Sequence, residues 1–132
     1  MADKIAQGLS DGGVSVKLFD INKSDRTEII KEMLDAKGFV VGSSTHDNGM
    51  LSMIAAFLHF VKGLKPIGRL VCAFGSFGWS GEAVKEIEEG VKNKGIEVAQ
   101  PGLLIKYTPD ANELKQCYAF GKQFASTIQT KE

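Results

Sequence analysis

Two polar, glycine-rich stretches each follow a short apolar run, and they hold the residues best suited to chemistry. Phe39-Val40-Val41 leads into Gly42-Ser43-Ser44-Thr45-His46-Asp47-Asn48-Gly49. Leu70-Val71-Cys72-Ala73-Phe74 leads into Gly75-Ser76-Phe77-Gly78-Trp79-Ser80-Gly81. Gly75, Gly78 and Gly81 let backbone approach a bound molecule and leave N–H groups free to donate. Ser43, Ser44, Thr45 and Asn48 supply short donors and acceptors, while Phe77 and Trp79 offer flat faces for stacking. Such a set suits a planar, polar, aromatic ligand whose ring carbonyls and nitrogens take hydrogen bonds from peptide amides, as a flavin does. Asp47 and Asn48 are also ordinary turn formers. His46 reads equally as a ligand-facing or a surface side chain.

Other chemistries find less in the sequence. Gly75, Gly78 and Gly81 have the wrong spacing for the dinucleotide fingerprint and follow a late strand rather than the first. No Walker lysine motif is present. Gly78-Trp79-Ser80-Gly81 would need glycine at the next position to make a hydrolase elbow, and Glu82 stands there. His46 and His59 are too few and too far apart for a metal set, and His59 reads as a structural residue on a helix flank. No nucleophile–base pair is visible, so no catalytic residue and no metal ligand is assigned. Cys72 lies in an apolar run and Cys117 on a helical stripe, so both read as buried thiols.

The elements that must position the two stretches follow from periodicity. A short helix carrying Ile5, Ala6 and Leu9 ends at Gly12-Gly13, and Val14, Val16 and Leu18 then alternate with polar residues as in a strand. Ser24 starts a second helix, with Asp25 and Glu28 in its first turn and Ile29, Ile30, Met33 and Leu34 as its stripe. Residues 39–41 and 70–74 have the unbroken apolar character of buried parallel strands. A helix is expected from Met50 to Lys62, closed by Gly63. Its core face would be Leu51, Ile54, Ala55, Leu58 and Val61, with Met53, Phe57 and Phe60 extending the apolar surface around its other side, which reads as burial on two sides or a few harmless exposed side chains, with a homodimer or domain interface as the alternative. Another runs from Ser80 to Lys94, with its acidic residues Glu82 to Glu89 on a solvated face. A last strand region, 96–107, is broken by Pro101-Gly102. Asp110 and Glu113 then form a capping box before a final helix. Strands alternating with helices predict one α/β domain over 1–132, with an open parallel sheet and helices on both faces.

Composition agrees. Of 132 residues 43% are hydrophobic and 24% charged, and sixteen basic residues balance sixteen acidic ones. The balance leaves no electrostatic footprint for nucleic acid or an anionic membrane. No apolar run reaches the roughly 18 residues of a membrane span, and the first residues lack a signal-peptide pattern, which makes a cytoplasmic setting the default.

Residues 42–50 together with Phe74-Gly75-Ser76-Phe77-Gly78-Trp79-Ser80-Gly81-Glu82-Ala83-Val84 closely resemble the flavodoxin domain of flavodiiron proteins, the A-type flavoproteins. Lys17-Leu18-Phe19-Asp20, Lys23-Ser24-Asp25-Arg26 and Gln100-Pro101-Gly102-Leu103 extend the likeness over nearly the whole chain. The resemblance implies a flavodoxin-like fold with FMN at the carboxyl ends of the strands. Ser43, Ser44, Thr45, His46, Asp47, Asn48 and Gly49 would lie beside the ring and ribityl chain. Gly75, Ser76, Phe77, Gly78, Trp79, Ser80 and Gly81 would flank the ring's other side. It further implies a β-lactamase-like di-iron domain as electron acceptor and a rubredoxin-type donor.

Three departures accompany it. Ser44 and Ser52 stand where relatives usually have proline. More seriously, Met1 aligns to the middle of the first helix, so the family's first strand and phosphate-binding loop are absent and the chain reads as a fragment or an internal start. The lost strand belongs inside the sheet, which predicts a gap two strand spacings wide, roughly 10 Å. Direct pairing of 14–21 with 38–43, or backbone from a second chain, would close it. A flavin-free remnant or interaction domain is the alternative function. A phospho-receiver is disfavoured, because the 39–41 strand ends in Gly42-Ser43 rather than aspartate.

Overall fold

The computed structural model describes residues 1–46, 49–64, 69–78, 81–92 and 96–130, the side chains of 46 and 60–64 apart. The described elements run α1 (Ala2–Asp11), α2 (Arg26–Asp35), β1 (Gly38–Gly42), β2 (Thr45–His46), β3 (Gly49–Met50) and α3 (Ser52–Leu64), then β4 (Leu70–Phe77), α4 (Glu82–Lys92), β5 (Glu97–Val98), β6 (Leu103–Lys106) and α5 (Ala111–Thr130). β4 is the hub of a parallel sheet. β1 lies along one edge of it, while β5 and β6 share the other.

Alternation along β4 builds two cores. Val71 and Ala73 join Ile30, Met33, Ile54, Phe57, Leu58, Ile87 and Val91 from α2, α3 and α4 on one face. Leu70 and Cys72 join Ile5, Leu9, Cys117, Phe120 and Phe124 from α1 and α5 on the other. The expected open parallel sheet with helices on both faces is what forms. α1 and α5 approach backbone to backbone, because a Cβ on Gly121 would run into the Ile5 carbonyl and one on Gly8 into the Tyr118 carbonyl. The capping box also forms as read: Glu113 N–H donates to Asp110 Oδ1 at 2.8 Å, and Asp110 N–H to Glu113 Oε1 at 3.1 Å.

Several expectations are corrected. Residues 14–20 join no ladder. Their alternation packs Val14 and Val16, both partly buried, against the α1/α5 core, but a parallel strand also needs a neighbour, and among the described strands β1 pairs with β4 alone. Direct pairing of 14–21 with 38–43 therefore does not occur. An open cleft of about 1090 Å³ lies there instead, lined by residues of both segments. Asp25 rather than Ser24 caps α2, accepting Thr27 N–H at 3.0 Å. α3 begins at Ser52, since Met50 is held in β3, and it runs through Gly63 to Leu64. On α3 Phe57 is core and Ala55 exposed, so the buried stripe is rotated from the expected one, while Met53 is 47% exposed. Phe60 and Val61 lie outside the described side chains.

Candidate cofactor site

Register places the two polar stretches side by side. Gly42 pairs with Phe74 across β1 and β4, and Ser43 N–H donates to the Phe74 carbonyl at 3.1 Å. Both stretches thus leave the same, carboxyl end of neighbouring parallel strands, where open α/β sheets bind ligands. Contact between them is tight at Gly75, where any Cβ would strike the Ser43 carbonyl and lie 3.2 Å from Val84. Glycine is the residue that permits this spacing.

The first stretch is a small folded unit rather than a plain loop. β2 and β3 pair antiparallel, Thr45 with Met50 and His46 with Gly49. Ser43 is buried, and its hydroxyl donates to the Ser44 carbonyl at 2.8 Å while accepting Leu51 N–H at 2.9 Å. That hydroxyl proton is spent on shaping the turn, so Ser43 positions the neighbouring residues.

Two bonds tie the hairpin to α4: Ala83 N–H donates to Thr45 Oγ1 at 3.3 Å, and Met50 N–H to Glu86 Oε2 at 3.1 Å. Glu86 therefore does not belong to a solvated acidic face as expected. Glu82 also departs from that reading, with one carboxylate oxygen buried and unpaired among the described residues.

The second stretch is strand for longer than expected. β4 continues through Gly75, Ser76 and Phe77, because β6 pairs with it there, Phe77 against Lys106. Gly78 follows as an exposed bend and Gly81 precedes α4. Asp47, Asn48, Trp79 and Ser80 lie outside the described residues, as does the side chain of His46.

Sequence reasoning missed Tyr107. It is 65% exposed, holds a φ of 60°, and donates its N–H to the Phe77 carbonyl at 2.6 Å. A Cβ on Gly78 would sit 3.2 Å from its ring. Lys106 Nζ lies 5.3 Å from the ring centroid, within cation–π range. A left-handed backbone on an aromatic residue is uncommon and accompanies functional sites. The available signal was an aromatic ending the last apolar run just before Thr108-Pro109.

At this end Ser44, Ser76, Tyr107 and Thr108 line the cleft between 14–20 and β1.

The model of the family described as Flavodoxin matches residues 1–121. The chain belongs to the flavodoxin family. It is 40% identical over 129 residues to a nitric oxide reductase of Moorella thermoacetica, covering 97% of this chain and 32% of the relative. It superposes with a TM-score of 0.94 on rubredoxin oxygen:oxidoreductase from Desulfovibrio gigas, at 33% identity, covering 98% of this chain and 32% of that one. Against an archaeal flavodoxin the TM-score is 0.87 at 30% identity, covering 96% and 87%. The flavodoxin domain thus spans about a third of the longer reductases it matches.

Membership implies FMN as cofactor. The described residues fit it: Ser44 and Ser76 line the cleft with short polar side chains, Tyr107 adds an exposed aromatic ring beside Gly78, and the tight Ser43–Gly75 contact brings the two turns together. Among the described residues no helix is long and apolar enough to cross a membrane.

Proposed function

We propose that this flavodoxin domain is the FMN electron relay of a flavodiiron-type oxygen or nitric oxide reductase. The observation that carries the reading is the side-by-side emergence of residues 43–46 and 75–78 from neighbouring strands, Ser43 N–H bonding the Phe74 carbonyl. Likeness to the longer Moorella and Desulfovibrio reductases supports the wider assignment.

Bound FMN supplies one- and two-electron transfer. The chain's own residues hold and orient it. Ser44, Thr45, His46, Asp47, Asn48 and Gly49 would hold one side of the ring, Ser43 shaping the turn that begins this stretch. Gly75, Ser76, Phe77, Gly78, Trp79, Ser80 and Gly81 would hold the other side, peptide N–H groups supplying donors for the ring's polar edge and the aromatic residues supplying stacking. A β-lactamase-like di-iron domain receives the electrons and a rubredoxin-type protein delivers them, in the cytoplasm. The chain itself needs no turnover site for this role.

Titration with FMN tests the reading. Flavin and Trp79 fluorescence are expected to be quenched together, with half-saturation near the micromolar range, about −8 kcal/mol of binding. Absence of quenching at tens of micromolar FMN would leave a flavin-free interaction domain.

A further inference from the structure

The last strand does not end as its alternation requires. Leu103 and Ile105 of β6 pack into the α1/α5 core, while Leu104 turns to the other face, where a Cβ on Gly81 would meet it. Continued alternation would set Tyr107 on the core face after Ile105. Tyr107 leaves that face. Its φ is 60°, and its side chain is 65% exposed, yet its N–H still extends the ladder by donating to the Phe77 carbonyl at 2.6 Å. A bulky residue keeps such a backbone only where its surroundings impose it. Burial does not explain the conformation at that exposure.

What the conformation achieves is contact with the second glycine-rich turn. The ring lies against Gly78, where a Cβ would come within 3.2 Å of Cε1 and 3.6 Å of Cδ1. The Lys106 ammonium stands 5.3 Å from the centroid of the same ring, within cation–π range. Lys106 forms no salt bridge among the described residues. One ring thus joins the bend of the turn to an unneutralised positive charge. Two groups bordering a single ring are no further apart than about one Debye length, about 10 Å at 0.1 M salt, so screening does not isolate them.

On the reading that FMN sits between the two turns, we infer that Tyr107 is a positioning residue: its ring seats the Gly78 bend and keeps the Lys106 ammonium at this turn. The seated bend fixes where the turn offers its peptide groups. The ammonium bears on the flavin's electronics, because reduction adds negative charge to the ring and a nearby cation favours the reduced form.

Five forms of the full chain test this: the parent, Tyr107→Phe, Tyr107→Gly, Tyr107→Leu and Lys106→Gln. Urea midpoints are measured without FMN, then FMN affinity and midpoint potential with it. Glycine adopts a φ of 60° freely. A purely structural role therefore predicts that Tyr107→Gly unfolds no more easily than the parent and binds FMN unchanged. A positioning role predicts the same urea midpoint, FMN held at least tenfold more weakly, and a lower potential. The midpoint for the second electron should fall by about 30 mV, a threefold change in that equilibrium at about 59 mV per tenfold. Tyr107→Leu keeps the left-handed backbone but has no π face, and it should show the same losses even if glycine loosens the fold. Tyr107→Phe keeps the ring and should bind FMN within twofold of the parent at an unchanged potential. Lys106→Gln keeps the ring but not the charge. It should lower the potential as Tyr107→Gly does, while oxidised FMN binds within threefold of the parent.

Tyr107→Gly and Tyr107→Leu forms that keep the parent's affinity and potential overturn the inference. So does a Tyr107→Phe form impaired as much as either, or a Lys106→Gln form with the parent's potential. A parent that binds no FMN is a different failure, which removes the flavin reading and this inference together.

Discussion

Glu86 stands on a helix whose acidic residues look solvated, yet its carboxylate accepts Met50 N–H and thereby holds the hairpin that carries the first polar turn. Ser43 does the same from within, linking Ser44 and Leu51. Removing a charged acceptor leaves a partly buried N–H unpaired, which costs about 1–3 kcal/mol. Glu86→Ala is therefore expected to lower stability to urea by about 2 kcal/mol and to weaken FMN binding roughly tenfold. Glu86→Gln retains a carbonyl acceptor and should lose less than half as much in both measurements. Equal losses in the two variants would mean that the carboxylate's charge, not its hydrogen bond, matters. The role of Glu86 was hidden in the sequence because Met50 lies 36 positions away and its N–H is freed only once β3 forms.

Elements meet where side chains allow backbones to touch. α1 crosses α5 with Gly8 against the Tyr118 carbonyl and Gly121 against the Ile5 carbonyl. Adding a methyl group at such a crossing forces the helices apart and costs about 1–3 kcal/mol. Gly121→Ala should lower the urea midpoint accordingly without changing the helical circular-dichroism signal, while Ser126→Ala, at an exposed position of the same helix, should leave it within about 0.5 kcal/mol. If Gly121→Ala proved as stable as the parent, the close crossing would be wrong. The helices were legible from periodicity and the strand runs 39–41 and 70–74 from their unbroken apolar character, but the continuation of β4 to Phe77 and the state of 14–20 were not. Its alternation has strand period, and the period reports which side chains are buried, not whether a ladder partner exists.

For the whole molecule, protons link stability to pH. Burial pushes the Cys72 thiol from its ordinary 9.0 up to about 12, against a smaller opposing pull from the Gln100 N–H. The native state thus holds this proton more tightly than the unfolded chain does. Below pH 9 both states are protonated and the contribution is complete. Between about 9 and 12 the unfolded chain releases its proton first, so stability falls as pH rises. The Lys17 ammonium is raised by its hydrogen bond to Glu32, 2.7 Å away, and the Tyr118 hydroxyl by its bond to Asp11, so both act in the same direction. Urea midpoints measured from pH 8 to 10.5 should decline, approaching about 1.4 kcal/mol per pH unit from Cys72 at the upper end. Cys72→Ala should flatten that decline even if it lowers the starting value. A parallel decline in both proteins would remove Cys72 as the cause.

The sequence by itself determined the parallel α/β architecture, the two glycine-rich turns and their flavodoxin character. These depend on local period, on turn residues and on short motifs, all read within a few positions. Only the tertiary structure decided that Ser43 shapes its turn, that Glu86 secures the hairpin, that Tyr107 stands beside Gly78 and that 14–20 makes no ladder with β1. Most of these are relations between residues distant in the chain or between one segment's peptide groups and another's. Hydrophobic period records burial on a face; it carries no information about which edge hydrogen bonds are made.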